Sequence, residues 1–275
     1  MSSLYHSNNK IIDNSTLLQL VISAVQSAGM AVKKLYSPAT RPQDRVDINR
    51  MIASNDAISL EVLKASLSAV LPNAQWAEDE ADTGSLPPGE WWVTDPVEGA
   101  INHVHGLPDW CITATLVRDN EIILTAVYLP MSDETYAALR GEGAWLNGVR
   151  LRTSNKTLLE NAIAGTGQAM PHEGHKVYQS IGMSVIAMLE AALVVRVSVP
   201  ATLQLIQVAA GRQDVFWQFS QVRSGLLAGA LMVSEAGGKV TDLQGGPWHL
   251  GSKDFLASSP AISAPAVAVL SLLSE

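Results

Sequence analysis

Cysteine is almost absent: Cys111 is the one thiol in 275 residues. That excludes an internal disulfide framework and fits a reducing compartment. Basic residues are also few, 18 Lys and Arg against 26 Asp and Glu, for a net charge of −8. A nucleic-acid surface needs a basic stripe that this balance does not supply, so no nucleic-acid partner is expected. Clean long apolar runs are lacking too. Residues 17–32 are interrupted by Gln19, Ser23 and Gln26 and followed by Lys33 and Lys34, the pattern of an amphipathic helix and not of an export signal. Residues 189–211 are broken by Arg196, Gln204 and Gln207, with Pro200 in their midst. A soluble, cytoplasmic protein without a membrane partner is the expectation. What the chain has in quantity is apolar residues, 47% against 16% charged, enough for a large core. Cys111 itself lies between Trp110 and Ile112, where a buried, inert thiol is expected.

The apolar spacing of Leu17, Leu18, Val21, Ile22, Val25, Ala28 and Val32 predicts a helix over 14–36, capped by Asn14 or Ser15. Residues 37–51 are polar and interrupted by proline, so a loop is expected there. A second helix is expected over 55–70, capped by Ser54 and stopped by Pro72. Residues 91–94 predict a buried strand. Strands at 111–118 and 121–130 would be joined by Arg118-Asp119-Asn120, and a second hairpin would pair 136–139 with 144–146. Beyond about residue 155, strands are expected at 162–166, 193–199 and 239–242, and helices at 201–211, 225–236 and 264–274. The whole is an α/β chain of two halves forming one unit, 1–150 antiparallel-rich and 151–275 mixed.

One stretch carries chemistry: Trp91-Trp92-Val93-Thr94-Asp95-Pro96-Val97-Glu98-Gly99-Ala100. An apolar run ends in two carboxylates three residues apart, followed at once by a glycine and a helix start. Such a turn offers acidic oxygens to a hard cation and backbone N–H groups to an anion, here at Gly99 and Ala100. Downstream stand Gly141-Glu142-Gly143-Ala144-Trp145-Leu146-Asn147-Gly148, then Val208-Ala209-Ala210-Gly211-Arg212, then Ala228-Gly229-Ala230 with Val233-Ser234-Glu235-Ala236-Gly237-Gly238.

These four segments, in this order, resemble the motifs of the inositol monophosphatase family of Mg²⁺-dependent phosphatases over nearly the whole chain. The resemblance implies a layered α-β-α-β-α sandwich of the inositol monophosphatase and fructose-1,6-bisphosphatase type, usually a homodimer. It also implies a Mg²⁺ cofactor and a small anionic, phosphorylated ligand. Asp95 matches the family's bridging Asp, and the Val97 carbonyl its carbonyl ligand. Asp79, within Glu78-Asp79-Glu80, falls at a ligand Glu. Asp56 falls at a further acidic position, with Ala53 in place of the Thr before it. Metal ligation is thus expected from Asp56, Asp79, Asp95, Val97 and Glu98, and catalysis from Asp79, Asp95 and Glu98.

The departures fall at the second metal. Glu98 replaces an Asp and carries its carboxylate ~1.5 Å further from the backbone. Gly225 falls where the family has an Asp, with Ser224 at the Trp before it, and Ala100 replaces the Thr that helps to hold the attacking water. Among substrate-pocket positions, Gln218 stands at an acidic one and Pro200 at a Ser, which disfavours inositol-1-phosphate as the substrate. The number of Mg²⁺ ions stays open at this point: none, one held by Asp79 and Asp95, or a second reached by Glu98. Three functions follow: a phosphatase of a small phosphorylated metabolite with a reduced metal site; an enzyme of other chemistry with Glu98 as acid or base; or a non-catalytic ligand- or partner-binding member. His103 and His105 are expected to pack and to bond at a helix end, and Trp91, Trp92 and Trp110 to lie in the core or a dimer contact.

Overall fold

The computed structural model describes residues 12–77, 83–220 and 222–273. Helix α1, Asn14–Lys33, opens on Asp13, whose carboxylate accepts the Ser15 and Thr16 N–H groups. The cap is thus one residue ahead of the expected Asn14 or Ser15. Helix α2, Arg45–Val70, is capped by Asp44 and begins ten residues before the expected 55. Its first turns are largely exposed, so they carry no apolar stripe that would announce a helix.

The first sheet runs in chain order. Its strands are β1 Gln75–Ala77, β2 Glu90–Glu98, β3 Cys111–Arg118, β4 Glu121–Leu129, β5 Glu134–Leu139, β6 Gly143–Leu146 and β7 Val149–Arg150. All neighbours are antiparallel except β1 and β2. Asp119 and Asn120 both take positive φ in the β3–β4 turn, as a tight hairpin matched to strand twist requires. The short helix α3, Ala100–Val104, follows β2.

The second sheet has the order β11-β12-β10-β8-β9. Its strands are β8 Ile163–Thr166, β9 Val194–Val197, β10 Val215–Gln218, β11 Lys239–Thr241 and β12 Phe255–Ser258. Helices α4 His175–Ala191, α5 Ala201–Ala209, α6 Ser224–Glu235 and α7 Ser263–Leu270 complete the chain. Helix α4 and strands β10 and β12 are unexpected from the sequence. In α4 the apolar residues Met183, Ile186 and Leu189 are exposed, so its pattern is not that of a core-facing helix.

Three apolar clusters separate five layers. The first lies between α1–α2 and one face of the first sheet and holds Leu17, Val21, Val25, Leu63, Trp92, Trp110 and Ile112. The second lies between the sheets, around α5 and α6, with Val93, Cys111, Leu205, Phe216 and Leu227. The third packs the far face of the second sheet against α4 and α7 through Ala164, Met188, Trp217 and Ile262. The α-β-α-β-α sandwich is thus the fold observed. By length and composition α1 could cross a membrane, but here its apolar side packs on α2 and β4.

Candidate active site at the β2–α3 turn

Strand β2 does not run regularly to its end. Asp95 pairs with Thr113 and Glu98 with Cys111, so three residues of β2 advance against two of β3. Pro96, which has no N–H for the ladder, sits in this bulge. The consequence is geometric. Thr113 and Cys111 share one face of β3, and cross-strand partners project to the same side. The bulge therefore brings Asp95 and Glu98 to one face, where regular strand spacing would put them on opposite ones. Cys111 belongs to the cluster around α5 and α6, so both carboxylates face that middle helical layer.

Asp95 is 9% exposed and Glu98 4%. The Asp95 N–H donates to Thr113 Oγ1 at 3.1 Å, which fixes the strand beside the carboxylate. Glu98 Oε1 accepts the Thr202 N–H at 3.1 Å, at the start of α5. On the other side stands Gly225 in the first turn of α6, where an added Cβ would lie 3.4 Å from Glu98 Oε1. Thr202 Oγ1 in turn donates to the Gly225 carbonyl at 3.1 Å and ties the starts of α5 and α6 together. The Cys111 thiol is fully buried, and its burial, with Glu98 and Asp95 nearby, pushes its pKa well up. Its burial is as the sequence suggested.

Gly99 caps α3 with φ +83, a left-handed conformation that glycine takes without strain. The space allows no side chain either: a Cβ would meet the Asp109 carbonyl at 2.7 Å and the Pro200 ring at 3.1 Å. The Gly99 carbonyl accepts the N–H groups of Asn102 and His103. The leading N–H groups of α3 have no partner within the helix, as at any helix start. Ala100, the first residue of α3, contributes no hydroxyl. Asn102 Nδ2 donates to the Asp109 carbonyl at 2.7 Å and the Val199 carbonyl at 3.0 Å.

Asp56 is half-buried on α2. Its neighbour Asn55 bonds to His103 of α3, whose ring packs edge-on against Tyr36 and Trp110 with centroids 5.6 and 4.8 Å apart. Burial holds the His103 pKa below its ordinary value. His105 Nδ1 bonds to the Ile101 carbonyl at 2.7 Å. Both histidines pack and bond at the end of α3, as expected.

Of the expected site residues, the structure brings Glu98, Gly99, Pro200 and Gly225 into contact and sets Asp95 on the face that Glu98 shares. Val97 is buried between them in the chain. Ser224 begins α6 and is buried. Gln218 ends β10, buried, with its Oε1 lacking a hydrogen-bond partner among the described residues. Asp79, with Glu78 and Glu80, lies outside the described residues.

Two participants were not foreseen. The Thr202 N–H is a backbone group and leaves no mark in a sequence. Arg223 is buried, and its Nη1 donates to the carbonyls of Thr83 and Gly84 at 2.8 Å each. It fastens the chain just after the acidic run to the start of α6, and nothing in its sequence surroundings announces this.

Magnesium demands near-octahedral oxygen ligation, several oxygens of it from carboxylates and carbonyls. Among the described residues no group of three or more His, Cys, Asp or Glu is arranged to hold a metal ion. At the position where the resemblance implies a second metal, Gly225 supplies no oxygen side chain, and a Glu98 oxygen is engaged by Thr202. Among the described residues, the side chains present do not fit a second cation there.

Comparison with known proteins agrees with the architecture. A sequence model of the inositol monophosphatase family matches residues 13–272. An inositol-1-monophosphatase of Rhizobium meliloti is 32% identical over 248 residues, covering 86% of this chain and 90% of that protein. A putative Nus factor SuhB of Neisseria meningitidis serogroup B is 32% identical over 260 residues, covering 92% and 97%. The crystal structure of the extragenic suppressor protein suhB from Bartonella henselae superposes with a TM-score of 0.77 at 27% identity, covering 92% of this chain and 98% of that one. With five alternating layers, the bulged Asp95–Glu98 turn and a match over almost its full length, this chain belongs to the inositol monophosphatase family.

Proposed function

We propose that the protein is a Mg²⁺-dependent phosphatase of a small phosphorylated metabolite, working with a reduced metal centre. The observation that carries this is the bulge in β2, which turns Asp95 and Glu98 to one face just ahead of the Gly99–Ala100 helix start in the chain. Asp95, the Val97 carbonyl and Asp79, with Asp56 nearby, would hold one cation. When bound, such an ion lowers the pKa of a water and neutralises phosphoryl oxygens. The rest falls to the chain itself. The N–H groups of Gly99 and Ala100 orient the phosphate, and the Asp95 carboxylate fixes the direction of approach. Pro200, Gln218, Ser224 and Gly225 shape the pocket, and the neutral Gln218 accepts a hydrogen bond from a ligand hydroxyl. Ala100 gives the water no hydroxyl to hold it, and loss of one such group costs about 10²–10³ in rate. A slow enzyme follows, with a substrate other than inositol-1-phosphate.

A homodimer in the cytoplasm is part of the same reading. The exposed apolar residues Tyr178, Met183, Ile186 and Leu189 of α4, with Val194 and Val197 on the edge strand β9, support the dimer. A second reading is a member that binds a ligand or a partner without hydrolysis. The relative named a putative Nus factor favours it.

Calorimetric titration with Mg²⁺ and Mn²⁺, paired with a phosphate-release panel of sugar, inositol and nucleotide monophosphates, separates the two. Cation uptake with release from one class of substrate supports the phosphatase. Binding of a panel compound with no release supports the second reading.

A further inference from the structure

Where the resemblance has two Asp residues, Glu98 is longer and Gly225 has no side chain. An Asp side chain at 225 would start with its Cβ 3.4 Å from Glu98 Oε1, in van der Waals contact with that carboxylate. The same oxygen accepts the Thr202 N–H at 3.1 Å. That group belongs to the first turn of α5, a nine-residue helix whose N-terminal N–H groups and dipole attract negative charge. Two neighbours reinforce the contact: Gly99 lies against the Pro200 ring, and Asn102 Nδ2 donates to the Val199 carbonyl at 3.0 Å. Glu98, Gly99 and Asn102 thus hold three of the four residues 199–202.

We propose that Glu98 is a positioning residue that anchors the start of α5 to the β2–α3 turn, in place of a second cation, so that the chain takes up one cation and not two. The length of the side chain is what makes this possible. An Asp at 98 would end ~1.5 Å short, which would open the 3.1 Å bond well beyond hydrogen-bond range. An Asp at 225 would set a like charge against Glu98 with nothing between them. The helix start supplies to Glu98 the positive partner that a cation would otherwise supply. The anchor stands whether or not phosphate is hydrolysed; the count of one cation rests on the phosphatase reading.

The test compares the full chain with its E98Q and E98D variants, by thermal melting without divalent cations and by calorimetric titration with Mn²⁺. Gln keeps the reach and an acceptor oxygen, whereas Asp keeps the charge and loses the reach. The anchor predicts that E98D melts about 3–6 °C below wild type, with E98Q between them. It also predicts one Mn²⁺ per chain in wild type and in E98Q. If E98D melts with the wild type while E98Q loses Mn²⁺, Glu98 is a cation ligand and the proposal is overturned. Two Mn²⁺ per wild-type chain overturn it as well. Should E98D fail to fold, Mn²⁺ uptake by E98Q decides: retained, it upholds the anchor; lost, it overturns it. Should the wild type take up no Mn²⁺, the phosphatase reading falls and the order of melting still decides the anchor.

Discussion

Asn55 Nδ2 lies 2.9 Å from His103 Nδ1, a buried hydrogen bond that joins α2 to α3. Asp56 follows Asn55 in the chain, so this bond sets where α2 stands relative to the Gly99–Ala100 turn. Asn55→Ala leaves the His103 ring nitrogen buried without its partner. The expected cost is about 1–3 kcal/mol, read as a lowered urea midpoint at neutral pH. An unchanged midpoint would mean that the two helices are held together by apolar contact alone.

His103 also sets a pH dependence. Burial lowers its folded pKa below 6.5, so the unfolded chain takes up a proton at a pH where the folded protein does not. Stability therefore falls as the pH drops through about 6.5 and levels off below the folded pKa. Urea midpoints of wild type and His103→Gln at pH values of about 7.5 and 5.5 should show a smaller drop in the variant. Equal drops would place the titrating group elsewhere.

Gly99→Ala should damage the site as well as the fold. The new Cβ meets the Asp109 carbonyl at 2.7 Å and the Pro200 ring at 3.1 Å, at φ +83. The left-handed conformation alone costs about 1–2 kcal/mol, and the collision with backbone adds to it. A fall in melting temperature with weaker binding of inorganic phosphate is expected; full stability would show that the turn relaxes freely.

Gln204 holds α5 from its other side. Its Nε2 donates to the carbonyls of Thr166 and Ser198, both at 2.8 Å, and the residue is buried. Gln204→Leu strips both buried carbonyls of that donor at about 1–3 kcal/mol each. Denaturant unfolding should give a loss of about 2–6 kcal/mol, whereas a loss below about 1 kcal/mol would show that water replaces the amide.

The sequence makes some of this legible and hides the rest for physical reasons. Helix α1 shows itself because a continuous apolar stripe from Leu17 to Val32 faces the core. The start of α2 is hidden because its first turns face solvent, and α4 because Met183, Ile186 and Leu189 do too. The missing carboxylate at Gly225 is visible in the resemblance to the family. That Glu98 reaches toward that space and bonds to a backbone N–H is not, since it depends on the bulge at Pro96 and on a helix that begins a hundred residues later. The pairing of Asp95 and Glu98 on one face is hidden for the same reason: their spacing suits opposite faces until three residues of β2 advance against two of β3.

The most direct test of the functional account is phosphate release with millimolar Mg²⁺ from a panel of small monophosphates, for wild type and Asp95→Asn side by side. The account predicts slow, Mg²⁺-dependent release from at least one compound, reduced at least about 10²-fold in the variant. Release from none of them by the wild type, or equal release by Asp95→Asn, would contradict it.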